Sequence, residues 1–163
     1  MAAATEDHPI EVWDKVMNLN IRSLFLLSQW IGKLSMIPNK YGRIINLASV
    51  AGLRGAAGDI QMIAYHTSKG AVVNFTRALA GDWGRHGVTV NALAPGFFPS
   101  NMTKRMIEAV GADKLAALAP LRRIGDHDDL KGAAVLFASD AGKYISGQIL
   151  AIDGGLTAVL PSI

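Results

Sequence analysis

The sequence predicts an α/β fold, a doubly wound parallel sheet of about three strands with flanking helices. Short apolar runs rich in β-branched residues alternate with longer segments in which apolar residues recur at helical spacing. Such runs are typical of strands buried on both faces, and strands that alternate with helices form parallel sheets with right-handed crossovers. Hydrophobic residues make up 50% of the chain and charged residues 18%, so we expect residues 1–163 to form a single domain.

The first predicted element is a long helix over residues 10–36. Pro9 suits the start of a helix, and apolar residues from Val12 to Leu34 recur at helical spacing. Because the run 24–27 is apolar on all sides, we expect the second half of this helix to be covered on more than one face.

The remaining elements follow in regular alternation. Three apolar runs are predicted to be strands, over residues 43–48, 88–94 and 148–152. Two further helices are predicted, over residues 62–86 and 128–139. A loop with three glycines fills residues 50–61, and residues 97–118 are interpreted as a mobile segment that covers the substrate as a lid does.

Composition argues against several classes of protein. The net charge of +3 comes from 16 basic and 13 acidic residues scattered along the chain, so no nucleic-acid surface is indicated. No apolar stretch approaches the roughly 20 residues that a membrane span requires. Residues 1–8 are small and acidic, unlike the basic and apolar pattern of an export signal, so we expect a cytoplasmic protein.

No metal site is predicted. The chain has no cysteine, and the isolated histidines lack the spacing of metal ligands. Asp126, Asp128 and Asp129 could form a metal cluster, but acidic residues at the start of a helix are interpreted more simply as helix capping.

Candidate catalytic residues gather where the predicted strands end. Ser49 ends the first strand, Tyr65 and Lys69 lie in the first turns of the next helix, and Pro95-Gly96 ends the second strand. Ligands bind beyond the carboxyl ends of parallel strands. Residues four apart share a helix face, and an ammonium near a phenol favours the phenolate, which suits a general acid and base. By itself, the pair is better explained as part of a solvated helix face, because a tyrosine and a lysine four residues apart also occur by chance.

Two neighbouring features are given weaker roles. His66 follows Tyr65, but one residue along a helix turns the side chain by about 100°, so we predict that His66 takes no part. Gly52, Gly55 and Gly58 do not have the spacing of a phosphate-binding loop, and a flexible loop beside the substrate is the better interpretation.

As an ordered set, these residues resemble the short-chain dehydrogenase/reductase family. The resemblance rests on Asn20, the segment Arg43–Gly52, the segment Tyr65–Lys69, the segment Val90–Gly96 and Asp153-Gly154-Gly155. It implies a Rossmann-like fold and an oxidoreductase that uses NAD or NADP.

The resemblance assigns a catalytic tetrad. It implies that Tyr65 exchanges a proton with the substrate oxygen, that Ser49 positions that oxygen and that Lys69 holds the nicotinamide ribose and tunes Tyr65. Asn20 would support a water that leads protons to Lys69. Without the resemblance, Asn20 would be interpreted as a surface residue or a satisfied core amide.

The same resemblance implies which residues contact the cofactor and what the substrate is. Tyr65 and Lys69 would be joined by Pro95, Gly96 and Phe98, through their backbone, and by Ser100. Residues 97–118 suggest an alcohol or ketone with apolar character as the substrate, and the resemblance extends to 3-oxoacyl-carrier-protein reductases and to gluconate and sugar-alcohol dehydrogenases without deciding between them. The spacing of 16 residues from Ser49 to Tyr65 suggests a small insertion in the loop at 53–61.

The family's glycine-rich adenosine-binding turn is expected to precede residue 1. The chain then represents an incomplete domain, and the strand at 43–48 offers an apolar edge. Three hypotheses remain: an oxidoreductase that needs its other half, a non-catalytic interaction module, or a symmetric oligomer that completes the sheet. The resemblance implies a homo-oligomer formed through helices 10–36 and 62–86, through which family members commonly pair.

Overall fold

The predicted α/β class and its parallel sheet are confirmed. The computed structural model describes residues 3–56 and 61–160. The strands of its three-stranded sheet are β1 (Gly42–Leu47), β2 (Val88–Pro95) and β3 (Ile149–Ile152), in the order β1-β2-β3. The α-helices are α1 (Ile10–Met17), α2 (Ser23–Ile31), α3 (Ile63–Trp83), α4 (Lys104–Val110), α5 (Ala112–Ala117) and α6 (Lys131–Ala138).

Strand β2 is the buried centre of the sheet. It pairs in parallel with β1, with Gly42 opposite Val88, and with β3, with Ala92 opposite Ile149. All of its residues up to Ala94 are buried, as expected for a strand covered on both faces. The parallel register brings the carboxyl ends of the three strands to one edge of the sheet.

Buried amides fix the neighbours of β2. The Asn91 side chain donates to the Ile145 carbonyl at 2.8 Å and accepts from the Gln148 backbone N–H at 3.0 Å. On β1, Asn46 donates to the Thr76 hydroxyl of α3 at 2.9 Å. Buried polar groups must find such partners, so these bonds hold β3 and α3 in place.

The predicted long helix is observed with two widened turns. Residues 10–36 follow one helical path, but residues 18–22 and 32–36 have the wider π-helical hydrogen bonding. The expectation that the second half is covered on several faces is wrong for the residues described here. Leu27 and Trp30 are each 62% exposed, because among these residues only the side that carries Ile21 and Leu24 packs against the core.

Residues 97–118 contain the elements that the sequence analysis missed. The segment interpreted as a mobile lid includes α4 and α5, separated at Gly111, which has a φ of +93°. Helix α6 begins at Lys131, three residues later than predicted. No helix among the described residues is long and apolar enough to cross a bilayer.

Candidate active site

Ser49 and Tyr65 line one cavity at the carboxyl edge of the sheet, named here the Tyr65 cavity. Its volume is about 270 Å³, and Gly96 from the end of β2 also borders it. Ser49 follows β1, while Tyr65 lies in the first turn of α3. Side chains that are 16 residues apart in sequence therefore face one space.

Lys69 lies one turn beyond Tyr65 on α3. Its Nζ is 5.8 Å from the centroid of the Tyr65 ring and donates to the Leu47 carbonyl at 2.8 Å. Partial burial lowers the pKa of the Lys69 ammonium from its usual 10.5, because burial penalises the charged form. The ammonium is thus held by the end of β1 and close to the phenol.

Gly52 allows the loop after Ser49 to touch α3. The Ser49 hydroxyl accepts from the Ala51 backbone N–H at 3.2 Å and starts a short turn over residues 50–52. A Cβ on Gly52 would lie 2.5 Å from the backbone carbonyl of Lys69, closer than side-chain carbons approach. Residues 57–60, with the predicted loop glycine Gly58, lie outside the described part of the chain.

Asn20 reaches the site through a residue that the sequence analysis missed. Its Nδ2 donates to the Ser68 hydroxyl at 2.9 Å, and Ser68 donates to the Tyr65 carbonyl at 2.8 Å. Ser68 is fully buried. Its spacing of three residues from Tyr65, on the same helix face, was the available signal.

His66 lies nearer to the site than predicted. It borders the Tyr65 cavity, although one residue along the helix turns its side chain by about 100° from Tyr65. That His66 takes no part in catalysis stays a prediction. Its Nδ1 lies 3.0 Å from the Met62 carbonyl, one turn earlier on the chain. The His66 and Tyr65 rings are arranged edge to face, with their centroids 6.3 Å apart.

The predicted cofactor segment divides between two cavities. Gly96 borders the Tyr65 cavity, whereas the Phe98 ring packs against Gly125 and lines a second cavity. The Ser100 hydroxyl lies 2.9 Å from that of Thr103 and accepts from its backbone N–H, which closes the turn before α4. Pro95 is the last residue of β2.

The second cavity, named here the Asp153 cavity, has a volume of about 450 Å³. The Asp153 carboxylate accepts from the backbone N–H groups of Gly155 at 2.9 Å and Thr157 at 2.8 Å, and from the Thr157 hydroxyl at 2.6 Å. Arg123 donates twice to Asp129, at 2.5 and 2.7 Å, and holds the pKa of that carboxyl well below its usual range. These charged groups are committed to partners within the fold.

The acidic cluster before α6 closes a turn. Asp129 accepts from the Asp126 backbone N–H at 2.8 Å, and Asp126 accepts from that of Asp128 at 2.8 Å. The capping interpretation is wrong in detail, since α6 starts at Lys131 without a side-chain cap. Ligand atoms of Asp126, Asp128 and His127 lie within 4.8 Å of one another, but all three residues are exposed.

Comparison with known proteins identifies the family to which this chain belongs. A family model described as enoyl-(acyl carrier protein) reductase matches residues 1–157. The chain is 38% identical over 159 residues to gluconate 5-dehydrogenase of Gluconobacter oxydans, covering 97% of this chain and 60% of that protein. It is 42% identical over 152 residues to 2-dehydro-3-deoxy-D-gluconate 5-dehydrogenase of Bacillus subtilis, covering 92% and 58%.

A solved structure shows the same fold. Gluconate 5-dehydrogenase from Burkholderia cenocepacia, in complex with NADP and tartrate, superimposes with a TM-score of 0.91 at 33% identity. The match covers 98% of this chain and 62% of that one, so the chain spans less than two thirds of each of these relatives. The Rossmann-like arrangement is confirmed, and the chain belongs to the short-chain dehydrogenase/reductase family.

Proposed function

We propose that this chain carries the catalytic residues of an NAD- or NADP-dependent oxidoreductase that interconverts an alcohol and a ketone. One observation carries the proposal: the Ser49 and Tyr65 side chains line one cavity, with the Lys69 ammonium 5.8 Å from the Tyr65 ring. A phenol, a nearby cation and a hydroxyl suit proton transfer to and from an oxygen. The relatives described above are dehydrogenases or reductases, which favours this function over a non-catalytic interaction module.

In this proposal Tyr65 donates a proton to the substrate oxygen during reduction and removes it during oxidation. The positive charge of Lys69 stabilises the phenolate that reduction leaves behind and that accepts the proton during oxidation. The Ser49 oxygen already accepts from the Ala51 N–H, so its own proton remains available to the substrate oxygen. When bound, a nicotinamide dinucleotide would supply the hydride for reduction and take it up in oxidation.

The residues present fit such a cofactor. Lys69 spends one of its three N–H donors on the Leu47 carbonyl and makes no other hydrogen bond within the described residues. Its remaining donors suit ribose hydroxyls, together with Tyr65. The backbone of residues 95–98 and Ser100 are proposed to contact the same cofactor, as the family resemblance implies.

Asn20 and Ser68 are proposed as positioning residues. Their hydrogen bonds tie residue 20, in the first widened turn, to the carbonyl of Tyr65. This link fixes the first turn of α3, which carries the phenol. The Asn20 Oδ1 then supports the water that the family resemblance places next to Lys69.

The proposed substrate is a small alcohol or ketone. Met102 and Thr103, just before α4, and Met106, within α4, border the Tyr65 cavity, which supports a covering role for residues 97–118. Two types of substrate are proposed. The names of the relatives suggest gluconate-like sugar acids, and the description of the family model suggests acyl ketones on a carrier protein.

The chain is also proposed to self-associate through residues 10–36 and 62–86. Leu19 and Leu34 are each 70% exposed, an unusual state for large apolar side chains that share one helical segment. A second copy would cover them. Sedimentation of the 163-residue chain is expected to give the mass of a dimer or larger assembly, and a monomer at micromolar concentration would exclude self-association.

Transfer of deuterium from labelled NADPH and NADH to a ketone tests the oxidoreductase proposal. Tyr65→Phe is expected to slow transfer by roughly a hundredfold to ten-thousandfold, the range that a general acid supplies. Tyr144→Phe is the matched control, since that side chain is fully exposed and outside the cavity. Transfer by Tyr65→Phe at the rate of the wild-type chain, or no transfer by either protein, would contradict the proposal.

A further inference from the structure

A fixed positive charge lies in the wall of the Tyr65 cavity. Arg54 borders the cavity together with Ser49 and Tyr65. Among the described residues that line it, none is a carboxylate. A guanidinium stays protonated at any working pH, so this wall favours a negatively charged ligand.

The Arg54 guanidinium is oriented by neutral groups. Its Nη1 lies 3.5 Å from the Leu156 carbonyl oxygen and 3.4 Å from that of Val159, and its Nη2 donates to the Thr157 carbonyl. No ion pair within residues 3–56 and 61–160 includes Arg54. Carbonyl oxygens hold the guanidinium without neutralising it, and its remaining N–H groups can donate to a ligand.

A second cation adjoins the first. Arg54 also borders a neighbouring cavity of about 470 Å³, to which Arg122 contributes, and no carboxylate lines that cavity among the described residues. Arg122 donates to the Ala117 carbonyl at 3.0 Å, again a neutral partner. Arg54 in the wall of the Tyr65 cavity and Arg122 in the wall of the neighbouring cavity together favour anions in this region.

We infer that the substrate carries a carboxylate and that Arg54 binds it, while Ser49 and Tyr65 face the reacting oxygen. This inference rests on the proposed function and narrows its substrate class to hydroxy acids and keto acids. Guanidinium and carboxylate form charge-assisted, often bidentate hydrogen bonds that a neutral polyol cannot match. An acyl ketone carried on a protein offers no such carboxylate beside the reacting carbon.

Binding of D-gluconate and D-glucitol to the 163-residue chain, followed by NMR, tests the inference. The two ligands share five hydroxyl-bearing carbons and differ by a carboxylate against an alcohol at one end. The wild-type chain is expected to bind gluconate about tenfold or more tightly than glucitol, the ratio that one charged hydrogen-bonded contact gives. Arg54→Gln should bring the ratio close to one, and Arg54→Lys should restore part of it.

Arg77→Gln is the matched control, because Arg77 is exposed on α3 and lines neither cavity. It should keep the wild-type ratio. A preference for gluconate that survives Arg54→Gln, equal binding of both ligands to the wild-type chain, or binding of neither at tens of millimolar would overturn the inference. The ratio is measured without turnover, so a failure of deuterium transfer counts against the oxidoreductase proposal alone.

Discussion

The Tyr65 cavity and the Asp153 cavity are neighbours that use their polar groups in opposite ways. Phe97 lines both of them. In the Asp153 cavity, the carboxylate of Asp153 accepts three hydrogen bonds, and Arg123 is paired with Asp129. In the Tyr65 cavity, by contrast, the phenol oxygen forms no hydrogen bond with any described residue.

This contrast separates a structural cavity from a candidate binding cavity. Cavity volume alone would select the Asp153 cavity as the binding cavity, since it is the larger of the two. Polar groups already satisfied within the fold gain little from a ligand, whereas unsatisfied groups gain a partner when one binds. The comparison therefore predicts that substitutions in one cavity mainly change stability and substitutions in the other mainly change activity.

The largest effect on stability is expected for Asp153→Asn. An asparagine replaces one carboxylate oxygen by an NH₂ group, which then faces the backbone N–H of Gly155 or of Thr157. Loss of these charge-assisted bonds should cost about 2 kcal/mol. For a chain of this size that corresponds to a melting temperature lower by roughly 6 °C, measured by circular dichroism.

Asp14→Asn serves as the control for this change, because Asp14 is exposed on α1. Its melting temperature should stay close to that of the wild-type chain. An Asp153→Asn variant as stable as this control would remove the distinction between the two cavities.

A smaller effect on stability, in the stabilising direction, is expected for Lys69→Met. Burial lowers the pKa of Lys69 below 10.5, so the folded chain releases this proton at a lower pH than the unfolded chain. The unfolded state then binds more protons between the folded pKa and 10.5, and the stability of the wild-type chain rises with pH in that window. Lys69→Met removes this dependence, so it should be at least as stable as wild type at neutral pH.

The stability advantage of Lys69→Met should shrink as the pH approaches 10.5. The proposed cofactor binding and turnover should be lost at every pH. Urea unfolding of the variant and of wild type at several pH values measures the difference in their free energy of unfolding. Lys143→Met, at an exposed position, should show no such trend. A variant that is less stable than wild type at neutral pH would show that the Leu47 hydrogen bond outweighs the burial of the charge.

The sheet could be predicted from sequence because local patterns encode it. The three strands were placed within one residue of their observed ends, since buried parallel strands are short β-branched runs next to glycine or proline. The meeting of Ser49, Tyr65 and Gly96 could be predicted for a related reason. Ser49 and Gly96 follow strand ends, and Tyr65 lies in the first turn of the helix that follows β1. The two short helices α4 and α5 carry too few turns for a periodic signal.

The missed contacts join residues that are distant in sequence. Ser68 bonds to Asn20 across 48 positions, and Arg54 reaches Thr157 across 103. Periodic patterns within one element do not predict such pairs, because the pairs form only when separate elements pack together. The exposure of Leu27 and Trp30 could not be predicted for a similar reason. An apolar helix face indicates that another surface covers it, but the sequence of the helix does not show whether that surface belongs to the same chain.

The melting temperature of Tyr65→Phe tests the central distinction most directly. The Tyr65 oxygen contributes no hydrogen bond within the described fold, so removing it should leave the melting temperature within about 1 °C of wild type, a stability change of a few tenths of a kcal/mol. The same sample should transfer deuterium roughly a hundredfold to ten-thousandfold more slowly than the wild-type chain. A drop as large as that of Asp153→Asn would show instead that the phenol belongs to the structural framework, and the assignment of the Tyr65 cavity as the active site would fail.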